Sequence, residues 1–137
     1  MTSESAVKTL LDSMYASFSS GDPTAWEDSL GDDAVCIGTD EAEFWHGRSP
    51  MVSALTAQLK EMSDAGISLT AGSPIISDRD AFALVADRPT ITLADGSSAA
   101  LRVTMVVSGE PGSLVVEQMH MSAPAPNEEL IRETLTV

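Results

Sequence analysis

The length and charge of the chain set the first limits on its function. It has 137 residues, enough for one domain spanning 1–137 with its own core, and 21 acidic against 7 basic residues give a formal net charge of −14. This surplus of negative charge repels phosphate backbones and anionic lipid, so neither nucleic acid nor a membrane is an expected partner. Cys36 has no second cysteine to pair with, and the polar start MTSES lacks a signal-peptide pattern, which favours a cytoplasmic protein.

Helices are predicted in the first half of the chain. Apolar residues recur at helical spacing from Val7 to Phe18, which predicts an amphipathic helix over 4–19. Asp22-Pro23 is typical of a helix start and opens a short second helix. A similar start with proline predicts a third helix over 50–64.

Strands are predicted mainly in the second half, where β-branched and alternating segments replace the helical spacing. They are separated by turn-forming residues, which indicates a curled antiparallel sheet. The segments are 67–71, 81–87, 90–94, 98–108 and 113–122. The stretch 122–127 is predicted as a loop, and the pattern of 128–137 assigns no element.

One stretch, VCIGTDEAEFWHGRSP over residues 35–50, gathers several reactive side chains. It is predicted to form a hairpin with arms 35–38 and 43–46, so that Asp40 and Glu41 are exposed turn residues. Alternation along the second arm points Trp45 and the preceding Phe44 to opposite faces, and one of them is expected to wall a pocket or the core. The spacing of histidine and cysteine in the chain matches no metal-binding motif, so no metal site is expected.

The chain has two histidines, His46 and His120. Each is more readily explained as a structural residue than as a catalytic base. Their roles stay open at this point.

A family resemblance rests on two longer runs. GDPTAWEDSLGDDAVCIGTDEAEFWHGRSPMVSAL, together with the ending SLVVEQMHMSAP, resembles the SnoaL-like branch of the nuclear transport factor 2 superfamily over roughly residues 5–125. The resemblance implies an α+β fold in which a cone-shaped, curved antiparallel sheet wraps around three N-terminal helices (NTF2-like, cystatin-like). It also implies a pocket at the open end, and homodimers. Fold alone does not give function.

The related ketosteroid isomerases offer a residue-by-residue test of chemistry. They use a tyrosine, an aspartate base and a protonated aspartate. The matching positions here are Met14, Gly38 and Thr104, and none of them can do that chemistry. Tyr15 and Asp40 lie close by in sequence, but a slip within a helix or strand turns a side chain elsewhere. Steroid isomerisation is therefore not expected.

The last hairpin decides which side chains line the pocket. A four-residue turn over 109–112 would place Arg102, Thr104, Glu117, Met119 and Met121 on one face of the sheet. The other face holds Val103, Met105, Val116, Gln118 and His120. Apolarity alone favours packing this second face against the helices. The family resemblance implies the opposite orientation, which we adopt.

This orientation leads to a functional hypothesis with two alternatives. Glu117 is the candidate acid or base and Arg102 would hold an anion, in a cofactor-independent cyclase, isomerase or dehydratase acting on a small, partly apolar molecule. The remaining ligand-binding residues are predicted to be Met14, Phe18, Trp45, Thr104, Met119 and Met121. The second face is predicted to form a homodimer interface. The alternatives are a non-catalytic binding or assembly module, and a monomer in which Arg102 and Glu117 are solvated.

Overall fold

The computed structural model describes residues 3–137, in which helices pack against one face of a curved, largely antiparallel sheet. The helices are α1 (Glu4–Ser20), α2 (Thr24–Ser29), α3 (Arg48–Asp64) and α4 (Asn127–Ile131). The strands are β1 (Leu30–Ile37), β2 (Phe44–His46), β3 (Ser68–Thr70), β4 (Ile75–Asp78), β5 (Phe82–Asp87), β6 (Thr90–Thr92), β7 (Ser98–Ala100), β8 (Arg102–Ser108) and β9 (Val115–Ser122). The predicted α+β fold class is confirmed.

The helix ends follow from the capping residues. The Ser3 side chain accepts a hydrogen bond from the Ala6 N–H at the start of α1. At its end, Gly21 adopts φ 74° and its N–H donates to the Ser17 carbonyl at 2.8 Å. The Asp22 carboxylate accepts the Thr24 N–H at 3.0 Å just before α2. The three predicted helices are therefore confirmed, with small shifts at their ends.

The strands form two sheets. The larger has the order β2-β1-β9-β8-β5-β4, and the smaller has the order β3-β6-β7. All neighbouring strands in these sheets are antiparallel except β1 and β9, which are parallel. The predicted strand 98–108 is divided at Leu101, because Leu101 is buried and its N–H donates to the Pro89 carbonyl at 2.9 Å. Strand β4 was not predicted, since it is a short edge strand directly after Pro74.

The face of the larger sheet that packs on the helices is the apolar face of β8 and β9. Val103 is 1% exposed, Met105 2% and Val116 0%, and they share a core with Val7 and Leu11 of α1. The adopted orientation of β8 is therefore wrong, and the orientation that apolarity favours is right. These three residues cannot form the predicted dimer interface. Gln118 and His120 do lie on the opposite, exposed face, which we call the outer face.

The pairing of β8 with β9 explains why the two strands behave differently. Ser108 pairs with Val115, so the connecting loop is longer than the four-residue turn that the sequence suggested. The register then shifts at Glu117, which forms a β-bulge and leaves both Glu117 and Gln118 exposed. Because the extra residue reverses the alternation, Met119 returns to the inner face, opposite Met105.

A buried polar pair joins α1 to β5. The Tyr15 hydroxyl donates to Asp87 Oδ2 at 2.9 Å, and the Gly72 N–H approaches the same oxygen at 3.2 Å. Burial raises the pKa of Tyr15 well above its ordinary value, and the hydrogen bond and charge of Asp87 raise it further. Asp87 Oδ1 is buried without a hydrogen-bond partner among residues 3–137. The hydrogen bond from Tyr15 to Asp87 thus links α1 to β5 in the buried part of the fold.

Candidate functional site

A cavity of about 250 Å³ lies between the helices and the inner face of the sheet. Phe18, Trp26 and Trp45 supply aromatic wall, and Met119 and Met121 supply flexible apolar wall from β9. The polar side chains at its surface include Thr39, Glu43 and Gln58, and Cys36 also lines it. A concave, mainly apolar site with a few polar groups is the usual form of a small-molecule pocket.

The aromatic part of the wall is held in place by hydrogen bonding and ring packing. The Trp26 indole N–H donates to Ser17 Oγ at 2.8 Å. Its ring meets that of Phe18 edge to face, with centroids 6.2 Å apart and planes at 73°. Since Trp26 has no free polar atom, it presents only hydrocarbon and ring surface to the cavity.

Glu43 is positioned by the turn that joins β1 to β2. Its Oε1 accepts the Asp40 N–H at 2.8 Å and its Oε2 accepts the Gln58 side-chain amide of α3 at 2.9 Å. Its backbone carbonyl accepts the Gly38 N–H at 2.8 Å. A Cβ on Gly38 would lie 2.8 Å from Glu43 Oε1, so only glycine leaves room for this carboxylate. The carboxylate is thus fixed at the cavity wall by neutral donors.

Cys36 lies in the same wall, on the strand that precedes this turn. Its side chain is buried, and burial raises the pKa of the thiol to about 11, with the negative charge of Glu43 as a second cause. At neutral pH the thiol is protonated, and a protonated thiol is a poor nucleophile. Cys36 therefore contributes a small, apolar surface to the cavity.

Some of the predicted ligand-binding residues do line this cavity. Phe18, Trp45, Met119 and Met121 are placed there, although ligand binding by these side chains stays a prediction. Met14 is fully buried in the core and is absent from the cavity wall. Phe18, one helix turn further along α1, lines the cavity instead.

The polar residues that were predicted to line the pocket from β8 and β9 lie outside the cavity. Arg102, Thr104 and Glu117 are exposed on the outer face, because β8 has the reverse orientation and Glu117 is the bulge residue. Arg102 pairs across the sheet with Ser122, and the Glu117 carboxylate accepts the Ser108 hydroxyl at 2.6 Å. The prediction that these three residues line the cavity is therefore wrong.

Three cavity residues were not predicted from the sequence: Glu43, Gln58 and Cys36. The position of Glu43 could have been predicted, because Glu43 and Trp45 are two residues apart on one arm of the hairpin and their side chains therefore face the same side. Cys36 pairs directly with Trp45 across β1 and β2, which brings it to that side too. The predicted turn was correct: Asp40 and Glu41 are exposed, and Asp40 Oδ1 accepts the Ala42 N–H at 2.9 Å.

The histidines and the tyrosine that were weighed as catalytic candidates lie outside the cavity. His46 and His120 are exposed, and Tyr15 is bound to Asp87. Within residues 3–137, no three side chains of His, Cys, Asp or Glu converge as a metal site would require. In the same part of the chain, none of the helices has the length and apolarity needed to cross a bilayer.

Comparison with solved structures establishes the fold of the chain. An NTF2-like protein of unknown function from Pseudomonas putida KT2440 matches with a TM-score of 0.80 at 18% identity, over 96% of this chain and 92% of that one. An uncharacterised protein with a cystatin-like fold from Caulobacter vibrioides matches with a TM-score of 0.74 at 18% identity, over 94% and 97% of the two chains. At these identities the likeness establishes the fold alone.

A third similar structure is an NTF2-like protein with a cystatin-like fold from Novosphingobium aromaticivorans, with a TM-score of 0.72 at 13% identity over 93% of this chain and 87% of that one. No curated protein matches this chain significantly. The family model of the SnoaL-like domain matches residues 7–126, which include every element that forms the cavity. The chain therefore belongs to the SnoaL-like family of NTF2-like proteins.

Proposed function

We propose that this protein binds a small, partly apolar molecule in the cavity and that Glu43 accepts a hydrogen bond from it. The observation that carries this proposal is the position of the Glu43 carboxylate in an otherwise mainly apolar wall. Its two oxygens each accept one neutral donor, and a carboxylate has acceptor capacity beyond that. A ligand donor that reached Glu43 would be oriented by it, while Met119 and Met121 adapt to the apolar body.

Proton transfer at Glu43 is the catalytic form of this proposal. A carboxylate that is oriented by its neighbours and partly removed from water is suited to act as a general base. The reaction class would be a cofactor-independent isomerase, cyclase or dehydratase, with Glu43 in the role first assigned to Glu117. Replacing Glu43 by Gln would then abolish turnover while leaving binding of the apolar body largely intact.

Blocking the cavity tests the binding function directly. Ala123 lies in the cavity wall next to the exposed end of β9, so Ala123→Trp places a large ring at that edge. Ala125→Trp, on the exposed segment beyond it, is the matched control. Saturable binding of a neutral, environment-sensitive fluorophore is expected for the wild type and for Ala125→Trp, and a clear loss is expected for Ala123→Trp. Equal binding by all three proteins would contradict the proposal.

We also propose a homodimer, now through the outer face of the sheet. Ile75 is 68% exposed and Leu84 is 42% exposed, and Leu84 pairs with Val106 at the centre of β5 and β8. Apolar side chains grouped on one side of a sheet are typical of an interface that a partner covers. This arrangement also supports the assembly-module alternative, in which the cavity has no catalytic role.

A further inference from the structure

The cavity wall has an unbalanced set of ionisable groups. Glu43 and Cys36 line it, but no lysine, arginine or histidine from residues 3–137 does. Since the Cys36 thiol is protonated and uncharged at neutral pH, Glu43 supplies the only negative charge that residues 3–137 place in the wall. From this part of the chain, a ligand in the cavity therefore meets negative charge and no lysine, arginine or histidine.

Among the described residues, no cationic side chain forms an ion pair with Glu43. Its hydrogen-bond donors are an amide side chain and a backbone N–H, both uncharged. Arg48, which follows β2, is directed away, and its guanidinium donates to the Glu27 carbonyl. The lysines whose ion pairs lie within residues 3–137 are bound to their own helix neighbours, Lys8 to Asp12 and Lys60 to Asp64. A carboxylate in a partly dry site is stabilised most by a cationic donor.

The rest of the wall also suits a cation with an apolar body. Trp45 and Phe18 present aromatic rings, and ring faces attract ammonium groups, most strongly where water is excluded. A ligand carboxylate or phosphate, in contrast, would lose water without gaining a cationic partner. The net charge of −14 adds a long-range preference of the same sign.

From these observations we infer that the ligand is a small organic amine, bound as its monocation. Its ammonium N–H donates to Glu43, and its hydrocarbon or aromatic body lies against the methionines of β9 and the aromatic side chains. This inference rests on the binding function proposed above and names the class of molecule that the same site selects. An ammonium held on Glu43 occupies the candidate base, so an amine ligand favours the non-catalytic form of that function.

The test uses three ligands of nearly equal shape with different charge: 2-phenylethylamine, 2-phenylethanol and 3-phenylpropanoate. Dissociation constants are measured at pH 7 by titration calorimetry with the full chain. The amine is expected to bind at least about tenfold more tightly than the alcohol, because its hydrogen bond to Glu43 joins two opposite charges, whereas that of the alcohol has an ionised acceptor only. The propanoate is expected not to bind.

Two variants separate the site from general attraction by the acidic surface. Glu43→Gln is expected to reduce the preference for the amine to about twofold or less, because the neutral amide oxygen still accepts a hydrogen bond from either ligand but no longer attracts the ammonium by charge. Glu41→Gln removes the same charge from the exposed turn close by and is expected to keep the full preference.

The outcomes distinguish the two proposals. If none of the three ligands binds, the proposed binding function fails together with the inference. If the alcohol binds as tightly as the amine, or if Glu43→Gln keeps the preference, the amine inference is overturned while the binding function stands. If Glu41→Gln loses the preference as well, general surface charge explains it and the inference is again overturned.

Discussion

The ionisation of Cys36 reports on the geometry of the cavity wall. The chain has a single cysteine, so its thiolate absorbance can be followed without interference from another thiol. The pKa of this thiol is raised from 9.0 to about 11, chiefly by burial and secondly by the charge of Glu43. We therefore expect the native protein to form thiolate near pH 11, and the unfolded chain to form it near its ordinary value.

The same shift has a consequence for stability. Because the folded pKa of Cys36 lies above the unfolded one, the thiol contributes fully below pH 9, and the contribution is lost as pH rises towards 11. A shift of this size corresponds to about 2–3 kcal/mol in the free energy of unfolding. Urea unfolding at a series of pH values should show this decline in the wild type, and Cys36→Ala should lack that component. Tyr15 ionises in the unfolded chain within this pH range, so the Cys36 contribution is taken from the difference between the two proteins.

Glu43→Gln makes the test specific to the site. Removing the negative charge is expected to lower the pKa of Cys36 part of the way, leaving it above 9 because burial remains the larger cause. Glu41→Gln, in the exposed turn, should leave the titration curve in place. A thiolate that forms near pH 9 in the wild type would show that Cys36 is not buried as described. No change on Glu43→Gln would refute the proximity of the two side chains.

Three further predictions follow from the packing. Tyr15→Phe should lower the free energy of unfolding by about 1.5–3 kcal/mol in urea titrations, because buried Asp87 loses its hydroxyl donor; a cost near zero would mean that water replaces it. Arg102→Met and Glu117→Gln should each change stability by less than about 0.5 kcal/mol and combine additively, and coupling between them would contradict their exposed positions. Light scattering should show a wild-type dimer and a Leu84→Asp monomer, with Thr56→Asp on exposed α3 as the control; a monomeric wild type would reject the outer-face interface.

The sequence predicted the order of elements well, because each boundary depends on local chemistry. Gly21 ends α1 in the left-handed conformation that glycine favours, and the turn around Asp40 closes through its own side chain. Features that depend on distant contacts were not predicted. The break at Leu101 depends on a hydrogen bond to Pro89, and the edge strand β4 is defined only by its pairing with β5.

The candidate site was predicted only in part, and the errors in β8 have one physical origin. Trp45 and Phe18 were placed correctly because helix and strand periodicity fixes which way they point. Arg102 and Thr104 were misplaced because one face had to be chosen for the whole hairpin, and the family resemblance was applied to both strands alike. In a hairpin with a bulge, the residues that face inward do not alternate regularly along the whole bulged strand. The orientation that the family implies is therefore right for β9 beyond the bulge and wrong for β8.

The bulge at Glu117 links the fold of the hairpin to the composition of the cavity. Val116 before it and Met119 after it both face inward, although they are separated by an odd number of steps along the strand. In a regular strand one of the two would face solvent, so that either Val116 would leave the core or Met119 would leave the cavity wall. The two adjacent polar residues, Glu117 and Gln118, are both exposed, which is the pattern that a bulge between two buried apolar residues requires. The flexible side chains that a ligand would meet in β9 therefore owe their position to one extra residue in the strand, while the carboxylate that would orient the ligand comes from the turn between β1 and β2.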